Sequence, residues 1–315
     1  MRNKALVVLI SLLSMFTVAT AAWSASQQKK AMTLATATIG GAYYPVGQAM
    51  TSVINKYVPN ISMTPEVTNG AVENPRLVGD GDTDFGITNA NTAYFAFNGQ
   101  KPYTRKIENL AAIGNLHPSV FQIVVLNKSK IKSFADLKGK KVAVGPAGGG
   151  TLPILQSIFE EYGMKADDIQ ANYLPYSDGF TQLGDDNLDA AVALGGYPTA
   201  AVMEIATTQK VRLIVLEDDK FKNLMKKYPY YSKMVIPKDV YKLETDVPCV
   251  GINNIFFTKK SMDAKIVYDV TKAIYDHLDE LAAANATTKQ IDRRSLSQLP
   301  ILIHPGAKKY FDEKK

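Results

Sequence analysis

A single cysteine, Cys249, stands among 315 residues, so no disulfide can close within the chain. Three histidines, His117, His277 and His304, lie too far apart in sequence for zinc-ligand spacing, and neither HExxH nor CxxC occurs. His117 and His304 each precede a proline and His277 falls in a helical pattern, so all three are expected to be satisfied structural or surface residues. There is no GxSxG elbow, no Cys/His pair and no carboxylate pair marked by its context, which leaves nothing that reads as a nucleophile with its base. The net charge of +6 is spread along the chain without aromatic interleaving, which speaks for solubility and against nucleic-acid binding. The expectation is a protein that is not an enzyme and carries no metal and no cofactor.

Long apolar runs are scarce too. Beyond the N-terminus the longest, Leu188 to Ala206, is interrupted by Asp189, Gly195, Gly196, Pro198 and Glu204, which suits a buried strand and helix better than a bilayer. The N-terminus itself differs. Met1-Arg2-Asn3-Lys4 is basic, Ala5 to Phe16 is almost unbroken apolar sequence, and Ala19-Thr20-Ala21 and Ala22-Trp23-Ser24 place small residues at cleavage spacing. That grammar predicts a secretory signal over residues 1–25 and a soluble periplasmic chain beginning between Ala22 and Gln27. The competing reading, an uncleaved anchor, would need ~20 apolar residues, and this run is shorter. With no disulfide, stability has to come from a large core.

What is present is a repeat. Thr33-Leu-Ala-Thr-Ala-Thr-Ile-Gly-Gly-Ala-Tyr-Tyr-Pro45 lies over Lys141-Val-Ala-Val-Gly-Pro-Ala-Gly-Gly-Gly-Thr-Leu-Pro153: each is a small apolar strand, a glycine pair and a proline in the first turn of a helix. Further on, Gly79, Asp80 and Asp84 fall on Gly184, Asp185 and Asp189. Two similar α/β halves follow, each a mostly parallel sheet with helices between its strands. Val120 to Leu126 and Val250 to Phe257 read as strands that cross between them. One domain is thus discontinuous, 27–119 with 250–315, the other is 120–249, and a two-strand hinge permits closure about a cleft. Beyond the second crossing, Val267, Val270, Ile274, Leu278 and Leu281 recur at helical spacing from a start near Ser261.

In an open α/β sheet, ligands sit at the carboxyl ends of the strands, where helix N-termini offer free amides and favour anions. Gly40 and Gly41, and Gly148 to Gly150, would bring one such loop from each half to a shared cleft, bare of Cβ atoms. On this reading a β-branched residue at Gly149 blocks an anion, whereas changes at His117 or Cys249 leave affinity unaltered. Neither loop is a nucleotide motif, since no Gly-Lys-Ser/Thr follows and GxGxxG is not met.

Gly40-Gly41-Ala42-Tyr43-Tyr44-Pro45-Val46-Gly47, Thr68-Asn69-Gly70-Ala71-Val72-Glu73-Asn74, Asp84-Phe85-Gly86, Gly148-Gly149-Gly150-Thr151, Gly195-Gly196-Tyr197-Pro198-Thr199-Ala200 and His304-Pro305-Gly306-Ala307 together resemble the TAXI family. These are the solute-binding receptors of one branch of TRAP transporters. The resemblance implies a type II periplasmic-binding-protein fold, a glutamate-like amino acid or a dicarboxylate such as 2-oxoglutarate as ligand, TRAP permease subunits as membrane partner, and a monomer. Asn69, Ala71, Gly149 and Asn91 depart from the family's usual residues, so it implies the ligand's class and not its identity.

Carried over residue by residue, Gly41, Gly70, Gly149 and Gly150 would allow close backbone approach, and Tyr43 and Tyr44 would form an apolar wall with a hydroxyl. Asn69, Asn89, Asn91 and Thr151 would supply neutral hydrogen bonds, although Asn89 and Asn91 suit helix capping equally well. Glu73 would fix a ligand amine or serve as a dipole and salt-bridge partner of Arg76. Tyr197 would cap the cleft or end a strand. A sensor or surface protein with the same cleft, or a secreted enzyme, are the alternative classes.

Overall fold

The computed structural model of the chain describes residues 29–39, 41–292, 296 and 299–314; the expected secretory signal lies outside the described residues. The first half runs β1 (Lys30–Ala35), α1 (Tyr43–Tyr57), β2 (Ile61–Glu66), α2 (Asn74–Asp80), β3 (Phe85–Asn89) and α3 (Ala90–Asn98), followed by the long β4 (Leu110–Leu126). The second half runs β5 (Lys141–Ala143), α4 (Thr151–Glu160), β6 (Gln170–Asn172), α5 (Tyr176–Gly184), β7 (Ala190–Gly195), α6 (Ala200–Thr208) and β8 (Val211–Leu213). Then come α7 (Asp218–Lys227), β9 (Tyr231–Ile236), α8 (Lys238–Tyr241), the long β10 (Val247–Lys259), α9 (Ala264–Asp276), α10 (Leu278–Ala284) and α11 (Pro305–Glu313). Among the described residues no helix is long and apolar enough to cross a membrane.

Ten strands form one sheet in the order β2-β1-β3-β10-β4-β7-β5-β6, with β8 added to β4 and β9 to β10. The outer triplets β2-β1-β3 and β6-β5-β7 are parallel and mirror each other, which is the repeat seen in the sequence. Its two aspartates act alike: Asp84 accepts from the Thr33 amide at 3.0 Å, and Asp189 from the Lys141 amide at 2.8 Å. Each carboxylate stands just before the start of one strand and holds an amide of its parallel neighbour, so the β1–β3 and β5–β7 edges are set by the same bond.

The antiparallel pair β4 and β10 runs through both triplets. β4 starts ten residues earlier than the Val120 expected from its apolar run, because Leu110–Ala112 also pairs with β10 and is buried. Between Asn253 and Ile255 the register slips, so Leu116 and His117 both face Asn254 in a β-bulge. The stripe Val267, Val270, Ile274 and Leu281 is buried against α1 and α11 as its period demands, but it belongs to two helices broken at His277. The first begins at Ala264 and not at Ser261, since the Asp263 carboxylate accepts from the amides of Lys265 and Ile266, each at 2.9 Å.

Candidate functional site

The carboxyl ends of β1, β2, β3, β5 and β7 meet around a narrow cavity of about 30 Å³ between the two halves. Gly41, Ala42 and Tyr43 bring the N-terminus of α1 to its wall, Asn89 that of α3, Gly149 and Gly150 that of α4, and Tyr176 that of α5. The first amides of a helix have no partner within it and carry the positive end of its dipole, so four such ends make the cavity receptive to negative charge. Among the described residues no charged side chain lines it. Burial raises the pKa of Tyr43 well above the usual phenol value and pushes that of Tyr176 up to about 12, so both walls keep neutral hydroxyls.

Behind the cavity lies a fully buried polar network on Asn254 of β10. Its oxygen accepts from the Tyr43 hydroxyl and from Asn89 Nδ2, both at 2.7 Å. Its Nδ2 donates to the His117 carbonyl at 2.7 Å and to Ser119 Oγ at 2.8 Å. Beside Tyr43, at 6.4 Å and edge-on, the His117 ring is buried with no hydrogen-bond partner on either nitrogen among the described residues, and burial lowers its pKa to about 4. The reading of His117 as a satisfied histidine is therefore corrected. It holds for His304, whose Nδ1 accepts from the Gly306 amide at 3.2 Å.

Of the twelve residues singled out in the sequence, Gly41, Tyr43, Asn69, Gly70, Asn89, Gly149 and Gly150 line the cavity; Tyr44, Glu73, Asn91, Thr151 and Tyr197 do not. Glu73 is spent within its own loop, accepting from the Asn69 amide at 2.6 Å and from Asn69 Nδ2 at 3.2 Å. Thr151 donates to the Val144 carbonyl. Asn91 reaches Tyr231 of β9 at 3.4 Å, and Tyr197 packs on the core of the second half. Asn89 is the N-cap residue of α3, yet its side chain makes no capping bond and turns to Asn254 instead.

Two backbone donors are also spoken for. The Gly41 amide donates to the Thr38 carbonyl at 3.2 Å and the Gly149 amide to that of Pro146 at 3.0 Å, so these glycines close tight turns. A Cβ on Gly149 would meet that same Pro146 carbonyl at 3.0 Å, so a β-branched residue there disturbs its own turn before it touches a ligand. Gly148 does the bridging. With φ +86° it approaches Asn69, and its carbonyl accepts from the amides of Val72 at 2.9 Å and Glu73 at 3.3 Å across the cleft.

Sequence reasoning missed Tyr176 and Asn254. Both left a signal: Pro175-Tyr176 opens an amphipathic stretch after a strand, and Asn253-Asn254 is a polar pair inside a buried apolar strand, which requires partners. Thr68 and Asn74 proved to be scaffold. Asn74 Nδ2 donates to the carbonyls of Thr36 and Ile87, each at 2.7 Å, while its oxygen accepts from Thr68 at 2.7 Å, which fixes the 68–71 loop against β1 and β3. Among the described residues no group of three metal-ligating side chains could hold an ion.

Residues 34–314 match the sequence profile of the NMT1-like family. Over 87 residues the chain is 34% identical to an Escherichia coli (strain K12) protein named as a candidate aliphatic sulfonates-binding protein; the stretch is 28% of this chain and spans only 27% of that relative's length. Among solved structures, a Bordetella bronchiseptica RB50 protein superposes with a TM-score of 0.56 at 14% identity, over 91% of this chain and 98% of its own. A candidate L-cystine ABC transporter protein from Listeria monocytogenes gives 0.51 at 17% identity, over 82% and 95%. The fold is the mixed α/β fold of type II periplasmic solute-binding proteins. The family match corrects the resemblance to TAXI receptors, and the TRAP permease expected as partner goes with it. The glycine loops that carried the resemblance are turns at strand ends, which this fold needs whichever transporter it serves.

Proposed function

The chain belongs to the NMT1-like family, and on that premise we propose that it is a periplasmic solute-binding protein that captures a small organic anion and delivers it to the permease of an ABC-type transporter. The observation that carries this reading is the cavity: four helix N-termini converge on walls without one charged side chain, so dipoles and amides hold the anion where no arginine does. The two parts 27–119 with 250–315 and 120–249 act as lobes about β4 and β10. The sulfonates named for the E. coli relative and the L-cystine and ABC transporter named for the Listeria protein agree with the ligand class and the partner. The proposed role is capture without turnover.

Protein recovered from the periplasmic fraction is the starting material for the test, and its absence there would remove the export step. Alkanesulfonates, amino acids and dicarboxylates are screened by thermal shift. A solute at a hundred times its Kd stabilises by about 2.7 kcal/mol, a rise in Tm of about 4 °C for a chain of this size. No rise with any of the three classes, or steady consumption of the solute that stabilises, overturns the reading.

A further inference from the structure

Asn89 is 1% exposed, lines the cavity, and its Oδ1 has no hydrogen-bond partner among the described residues. An amide can usually be turned over to suit its surroundings, but this one cannot. The His117 carbonyl only accepts, so Asn254 must present Nδ2 to it and to Ser119, and hence Oδ1 to Tyr43 and Asn89. Asn89 must then present Nδ2 to Asn254, and its oxygen is left facing the α4 N-terminus. At Gly150 a Cβ would stand 2.1 Å from that oxygen, so only glycine fits against it. A buried acceptor without a donor is costly. The rest of the cavity is rich in amides and hydroxyls but offers no carboxylate for a positive group, since Glu73 is engaged by Asn69.

We propose that Asn89 Oδ1 accepts a hydrogen bond from an amino group of the solute, so that the cleft selects amino-bearing organic anions over their des-amino counterparts. The inference rests on the function proposed above and narrows its ligand. The amino group meets the acceptor that the Asn254 network holds in place, and the anionic end lies against the other amides and hydroxyls of the wall. Asn89 is the specificity-determining residue, and Asn254 positions it.

Calorimetric titration with two matched pairs, L-glutamate against glutarate and taurine against ethanesulfonate, separates the amino group from the kind of anion. The amino member of at least one pair is expected to bind tenfold or more tightly than its partner, as a hydrogen bond to a charged group implies. In Asn89→Leu that ratio is expected to fall to about one. Equal or tighter binding of the des-amino members by the wild-type protein overturns the proposal without harming the anion site, and needs no variant. Equal loss of both members in a folded Asn89→Leu protein makes Asn89 structural and overturns it as well. Binding of none of the four overturns the reading of the cleft and takes this inference with it.

Discussion

At His117 the sheet buries an imidazole that has no partner on either ring nitrogen among the described residues, with the neutral Tyr43 ring edge-on at 6.4 Å. The unfolded ring titrates at its ordinary value of 6.5 and the folded one at about 4. A depressed folded pKa means that stability is full above pH 6.5 and is lost as pH falls through that window, by about 3 kcal/mol at pH 4. Urea unfolding at pH 7 and pH 4 is expected to show this increment in the wild type and lack it in His117→Phe; the same acid sensitivity in both would sink the assignment. The residue was hidden in the sequence because its burial depends on a bulge opposite Asn254, 137 positions away. Gly41, Gly70 and Gly150 were legible, being marked by local turn chemistry. Tyr176 and Asn254 were not, because a tyrosine after a proline and an asparagine in a strand acquire their roles only from what the sheet brings beside them.

For the elements, the N-terminal end of α2 shows how local rules and long-range pairing divide the work. Its entry amides at Val72 and Glu73 need a cap, and they take it from the Gly148 carbonyl in the other half. The glycine motif at 148–150 was visible, but its role as a bridge was not, since nothing near it in sequence names Val72. Gly139 supplies the control: it too has a positive φ, +74°, but nothing stands within 4 Å of where its Cβ would be. Alanine at either position costs about 1–2 kcal/mol in backbone strain. Only in Gly148→Ala does the new methyl press on Asn69 Cβ at 3.1 Å, across the cleft. Both variants are expected to melt a few degrees lower, whereas solute affinity drops, about tenfold, in Gly148→Ala alone. Equal affinities in the two variants would show that the bridge makes no difference to closure.

Over the whole molecule, the repeat of a strand, a glycine loop and a helix was readable because each half obeys the same short-range chemistry, down to Asp84 and Asp189 on matching amides. Where the halves meet was readable only in part: Val120 and Gly251 pair at the crossing, but β4 extends ten residues to its N-terminal side, so apolar runs marked the strands without marking their ends. The size of the cavity then sets the dynamics. About 30 Å³ has room for little more than water, far below the ~300–1,000 Å³ of pockets that enclose drug-sized ligands. For the proposed organic anion to enter, the halves would part, with the backbone of β4 and β10 bending where both change partners. In the described arrangement Gly148 bonds to the start of α2 and Asn91 to Tyr231, the contacts that such a parting would break. A compact chain of this length has a radius of gyration of about 19 Å. Small-angle scattering of the solute-free protein is expected to give a larger value that contracts toward it when solute saturates the cleft. A radius that starts near that value and stays unchanged on saturation would mean that the lobes do not move, and the solute would have to bind somewhere other than between them.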